Sequence, residues 1–102
     1  MARNTQLPTL TPTERLILDL LSESEMYGLQ LVAVSRGKLK RGSVYVLLGR
    51  MEEKGFVESR PEEKTPHPGL PRRLYRVTRL GTRVMDAWSL AAARLGFGGA
   101  RA

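Results

Sequence analysis

Between Arg36 and Gly55 the chain sets a basic, glycine-containing turn directly ahead of an amphipathic run that a second glycine closes, an order few small architectures accommodate. Val44, Leu47, Leu48 and Met51 recur at the three- and four-residue intervals of one helix face, leaving Ser43, Tyr45, Val46, Gly49 and Arg50 to the other faces. A helix is therefore expected to start near Arg41 or Gly42 and to end at Lys54, with Gly55 as its left-handed C-cap. Lys38, Lys40 and Arg41 stand just before it, where the positive end of a helix meets anions.

The surrounding sequence predicts what this helix packs against. Thr11-Pro-Thr-Glu14 has the order of a capping box, with Thr11 as N-cap, Pro12 in the first helical position and Glu14 three residues on. Leu16, Ile17, Leu20 and Leu21 then form an apolar stripe, and the Ser22 to Glu25 cluster ends the helix. Leu29, Leu31, Val32 and Val34 suit a second helix reaching about Ser35, stopped by Gly37. Phe56 to Arg60 and Arg73 to Val77 alternate in the manner of strands. Between them, four prolines and a glycine from Pro61 to Pro71 forbid regular structure, so the two strands are expected to carry a stiff projecting loop. Thr78 caps a last helix to about Leu95, in which Val84, Trp88, Ala91 and Leu95 make a coiled-coil-like seam.

The predicted fold is mainly α with a small β-hairpin (α+β): a winged helix-turn-helix with a C-terminal dimerisation helix. Residues 1–10 are expected to be a flexible arm, with Arg3 within reach of a phosphate, residues 11–77 the winged unit, 78–95 the dimerisation helix and 96–102 a flexible tail.

Charge narrows the partner. The formal net charge is +7 over 102 residues, and it is uneven: up to residue 35 two arginines face four acidic residues, while from Arg36 onward fifteen basic residues face six acidic ones. A field of this kind suits a polyanion, with nucleic acid ahead of an anionic membrane surface. The absence of cysteine removes disulfides, thiolate nucleophiles and the common zinc clusters. No apolar run approaches the roughly 20 residues of a membrane span, and the N-terminus lacks the apolar core of a signal peptide, so a cytoplasmic location is expected. Glu52 and Glu53 are adjacent on a helix and point about 100° apart, so they cannot share a substrate. His67 has no second histidine to complete a metal site. With no nucleophile elbow and no phosphate-binding glycine motif either, an enzyme is not expected, nor a cofactor.

Together these residues resemble the PadR family of bacterial winged-helix transcriptional regulators. Met26-Tyr27-Gly28 falls at the start of the second helix in that resemblance. Its densest part is Gly42-Ser43-Val44-Tyr45, followed by Leu47-Leu48, Arg50-Met51-Glu52, Lys54-Gly55 and Phe56-Val57. Pro71-Arg72-Arg73, Tyr75-Arg76-Val77-Thr78 and Gly81 match the wing's return strand and the start of the closing helix. The resemblance covers roughly residues 12 to 86. Val44 and Met51 replace the usual leucines, the wing tip is unusually rich in proline, and with a short C-terminal region the larger dimerising extension of some members is not expected.

The resemblance implies that the helix after the basic turn enters the major groove of double-stranded DNA, Lys38, Lys40, Arg41 and Ser43 contacting bases or phosphates near its N-terminus. Tyr45 is then expected to donate its hydroxyl to a phosphate and Arg50 to contact the backbone further along, while Lys64, His67, Arg72 and Arg73 form a second strip in the wing. A homodimer joined through Val84, Trp88, Ala91 and Leu95 is expected to bind a pseudo-palindromic operator as a repressor. The resemblance also admits a small aromatic effector on Trp88, against the plainer expectation that this side chain packs a core or a dimer interface. Two alternatives remain, a winged helix that presents its groove to proteins and a non-specific architectural DNA binder.

Overall fold

The computed structural model describes residues 8–62 and 72–96. Seven elements occur in order: α1 (Pro12–Leu21), β1 (Met26–Tyr27), α2 (Gly28–Val34), α3 (Arg41–Glu53), β2 (Val57–Pro61), β3 (Arg73–Val77) and α4 (Arg79–Leu95). The strands form one antiparallel sheet in the order β1-β3-β2.

Local chemistry sets the helix ends. The Glu14 N–H donates to Thr11 Oγ1 at 3.1 Å and the Thr11 N–H to Glu14 Oε1 at 3.0 Å, so the expected capping box closes α1. Gly55, at φ 83°, supplies the left-handed residue just past α3 that its sequence position predicts. Thr78 caps α4 by accepting the Gly81 N–H at 3.0 Å, and α4 ends at Gly96 in the left-handed region.

One core joins these pieces. Ile17 and Leu18 of α1, Leu31 of α2, Val44, Leu48 and Met51 of α3, and Phe56 and Val57 beside or in β2 are all buried, with Tyr75 of β3 and Val84 of α4 closing it. The predicted stripe of α3 is thus the buried one, with Leu47 half-buried at its margin.

Two expectations need correction. Met26 and Tyr27 do more than lead into the second helix, which starts at Gly28 with Tyr27 as its N-cap: they pair with Tyr75 and Leu74, so the sheet has three strands rather than the two of a hairpin. Two residues are too few to display alternation, and only their partner strand makes them a strand. Val84, expected at a dimer seam, lies in the protomer's own core at 4% exposure. Of the expected N-terminal arm, Leu10 packs against the core, and the Pro8 carbonyl accepts the Trp88 indole N–H at 2.9 Å. No described helix is long and apolar enough to cross a membrane.

Candidate nucleic-acid interface

The turn into α3 is held from inside. Arg36 and Gly37 both have positive φ, 56° and 88°, which reverses the chain after α2. Leu39 then drops into the core, and its N–H donates to Ser35 Oγ at 2.9 Å. An inward Leu39 turns Lys38 and Lys40 outward on either side, and both are exposed. This buried leucine is a positioning residue that charge counting missed.

On α3 itself Arg41, Ser43, Tyr45, Val46 and Arg50 are exposed. Tyr45 is anchored despite its exposure: its ring lies over Gly28, where an added Cβ would come within 2.6 Å of Cε1. The glycine at the start of α2 therefore makes room for the ring and fixes where the phenol points.

The arginines at the base of the wing are braced. The Arg72 guanidinium lies 4.3 Å from the Tyr27 ring centroid and its Nε donates to Glu62 Oε1 at 3.1 Å. The Tyr27 hydroxyl donates to the other oxygen of Glu62 at 2.7 Å, and that bond to a carboxylate holds the phenol's pKa above its ordinary value. Arg73 Nε donates to Ser59 Oγ at 2.9 Å, and the Ser59 hydroxyl in turn donates to Glu52 Oε2 at 2.8 Å. Both arginines stay exposed. Tyr27, Glu62 and Ser59 escaped sequence reasoning because contacts across a hairpin and between elements leave no periodic signal. Lys64 and His67 lie outside the described residues.

Charge compensation divides this surface. Among the described residues, Lys54, Arg60, Arg72 and Arg76 form ion pairs with Glu14, Glu25, Glu62 and Glu58. Lys38, Lys40, Arg41 and Arg50, on α3 and the turn before it, form none with a described residue. Uncompensated cations on a convex helix attract a polyanion most strongly, since no internal carboxylate must first be displaced.

Among the described residues, hollows open both beside these elements and away from them. A cleft of about 480 Å³ is lined by Tyr27, Gly28, Tyr45, Arg73 and Tyr75 among others, and burial pushes the Tyr75 phenol up from its ordinary pKa, so it stays protonated. A groove of about 510 Å³ runs between α1 and α4, with Leu10, Leu16, Met85 and Trp88 in its wall. Among the described residues no group of three or more histidines and carboxylates is placed to hold a metal.

Residues 17–87 match the family model described as transcriptional regulator PadR-like family. In fold the chain is similar to a PadR family transcription regulator from Clostridium difficile R20291, with a TM-score of 0.70 at 24% identity over 82% of this chain and 90% of that one. It is similar also to a PadR-like transcription factor from Bacteroides fragilis, with a TM-score of 0.70 at 22% identity over 80% and 81% of the two chains. A third similar structure is Bacillus subtilis PadR in complex with operator DNA, with a TM-score of 0.65 at 21% identity over 72% of this chain and 44% of that one. No curated protein matches the chain in sequence.

Proposed function

The chain belongs to the transcriptional regulator PadR-like family, and from that premise we propose that it acts as a homodimer that binds a pseudo-palindromic operator and represses by blocking access to a promoter. DNA binding and transcriptional regulation come with the family; symmetry, operator and direction of control are our reading. One observation carries it: Lys38, Lys40, Arg41 and Arg50 are gathered, exposed, on α3 and its leading turn and form no ion pair with a described residue, nor does Arg73 on the neighbouring β3, while Arg60, Arg72 and Arg76 have acid partners.

In this reading α3 lies in the major groove, with Lys38, Lys40, Arg41 and Ser43 at bases and phosphates and Arg50 on the backbone. Tyr45, propped over Gly28, gives its hydroxyl to a phosphate. Arg72 and Arg73 contact the backbone from the wing base, their planes pre-set by Tyr27, Glu62 and Ser59, so little side-chain entropy is lost on binding. That the Bacillus subtilis relative forms a complex with operator DNA supports duplex DNA as the partner. The outer half of α4, with Trp88, Ala91 and Leu95, meets its symmetry mate and spaces the two α3 helices about one duplex turn, roughly 34 Å, apart. A small aromatic effector against Trp88 in the groove between α1 and α4 would regulate by favouring one angle between the two DNA-binding units.

Selection of bound fragments from random duplex DNA is the test. Enrichment of an inverted repeat is the expected result, and equal binding of selected and random duplex would make the protein a non-specific architectural binder. A Lys40→Ala, Arg41→Ala, Arg73→Ala triple variant is expected to lose most affinity and to flatten the salt dependence by about one logarithmic unit per lost contact. Unchanged duplex binding at low salt would remove these residues from the interface and favour a protein partner for the same surface.

A further inference from the structure

The outward face of α3 has a shape that phosphate binding does not require. Opposite the buried Val44, Leu48 and Met51, the helix presents Gly42, Val46, Gly49 and Glu53 at successive turns, all of them exposed. Val46 is 56% exposed at the middle of this row. A Cβ on either Gly42 or Gly49 would meet no heavy atom within 4 Å, and neither glycine has a positive φ. Packing therefore does not ask for glycine at either position, and a glycine inside a helix weakens it relative to alanine. The fold likewise gains little from an exposed valine flanked by bare backbone.

Such a face suits a surface that must come close to the helix axis and that offers one apolar feature. The floor of the DNA major groove is such a surface: among its donors and acceptors the thymine C5-methyl is the single apolar group. Valine has no hydrogen-bonding atom, so it distinguishes base pairs only through that methyl. Lys38, Lys40 and Arg41 gather at the N-terminal end, whereas in the last turn Arg50 is offset by Glu53, so phosphates draw the helix in most strongly by its N-terminal half, where Val46 sits.

We infer that Val46 is a specificity-determining residue that rests on the C5-methyl of a thymine in each half-site, the bare backbone at Gly42 and Gly49 letting α3 approach closely enough for a short side chain to reach. This assignment rests on the duplex-binding role proposed above and names what that role reads.

The test uses the full chain and the duplex recovered by selection, with each thymine replaced in turn by deoxyuridine, which lacks only the methyl group. Wild-type affinity is expected to fall about fourfold at one position of each half-site, the worth of burying one methyl. Val46→Ala is expected to keep its thermal unfolding midpoint, to bind the thymine duplex about as weakly as the wild type binds a duplex carrying deoxyuridine at that position of both half-sites, and to ignore the exchange there. A specific duplex whose deoxyuridine scan is flat, or a Val46→Ala variant as sensitive as the wild type, overturns the assignment and leaves duplex binding intact. Recovery of no duplex above random overturns both.

Discussion

At the scale of single residues, Glu14 ties the most together. It is 2% exposed, it completes the cap of α1, and its second oxygen accepts from Lys54 Nζ at 2.9 Å at the end of α3. Burial by itself would raise its pKa, but the Thr11 backbone N–H, the Lys54 ammonium and the Thr11 hydroxyl outweigh that and hold the carboxyl below its ordinary value. A depressed folded-state pKa contributes stability that is complete above the unfolded-state value of about 4.3 and is lost as pH falls through the lower folded value. Glu14→Ala is expected to lower the unfolding free energy by about 2 kcal/mol, about half of it from the cap. Lys54 is 38% exposed and can turn to water, which keeps the loss below that of a fully buried pair. Urea titrations of both proteins should show the gap at pH 7 and its narrowing below about pH 4. The Thr11-Pro-Thr-Glu14 cap is legible in the sequence because it is local. The ion pair to Lys54 spans 40 residues, and nothing in the spacing of either residue announces it.

Among the elements, two helices use glycine for opposite ends. Gly81 lies in the first turn of α4, where the Thr78 N–H donates to the Phe56 carbonyl and the Thr78 hydroxyl to that of Gly55. A Cβ on Gly81 would stand 2.2 Å from the Phe56 oxygen and 2.8 Å from Val77 Cγ2, and a backbone carbonyl cannot step aside. Gly81→Ala is expected to cost about 3 kcal/mol and to lower the midpoint of thermal unfolding by more than about 10 °C. Gly49→Ala, with open space at its Cβ, is expected to stabilise the fold by about 0.5–1 kcal/mol while weakening duplex binding. Calorimetry on the two variants separates a glycine the fold needs from one it does not. Most elements were legible for the same reason as the cap: α3, β3 and α4 fall where periodicity, alternation and capping residues put them. β1 was not, because two residues become a strand only through Tyr75 and Leu74 on the far side of the chain.

For the whole molecule the proposed dimer turns on what covers the apolar side of α4. A spacing of four, three and four residues marks the apolar side of α4 without saying which body covers it. Val84 turns into the protomer, Trp88 and Ala91 are half-buried, and Leu95 is 68% exposed. The first residue of the row thus belongs to the fold, and the last is the one left for the proposed partner copy. Leu95→Asp is expected to weaken dimerisation at least tenfold, or about 1.4 kcal/mol, in sedimentation velocity, with the unfolding of the monomer unchanged. Candidate DNA contacts were legible as charge and helix position, whereas the bracing of Arg72 and Arg73 depends on side chains that only the folded sheet brings beside them. The indole of Trp88, tethered to the Pro8 carbonyl, is the chain's single long-wavelength fluorophore. It sits on α4 and not on α3, the proposed DNA-contacting helix, so its emission observes α4 and what packs there. A spectral shift on adding duplex would register strain transmitted through the body, and an unchanged spectrum would mean that the reading head docks as a rigid piece.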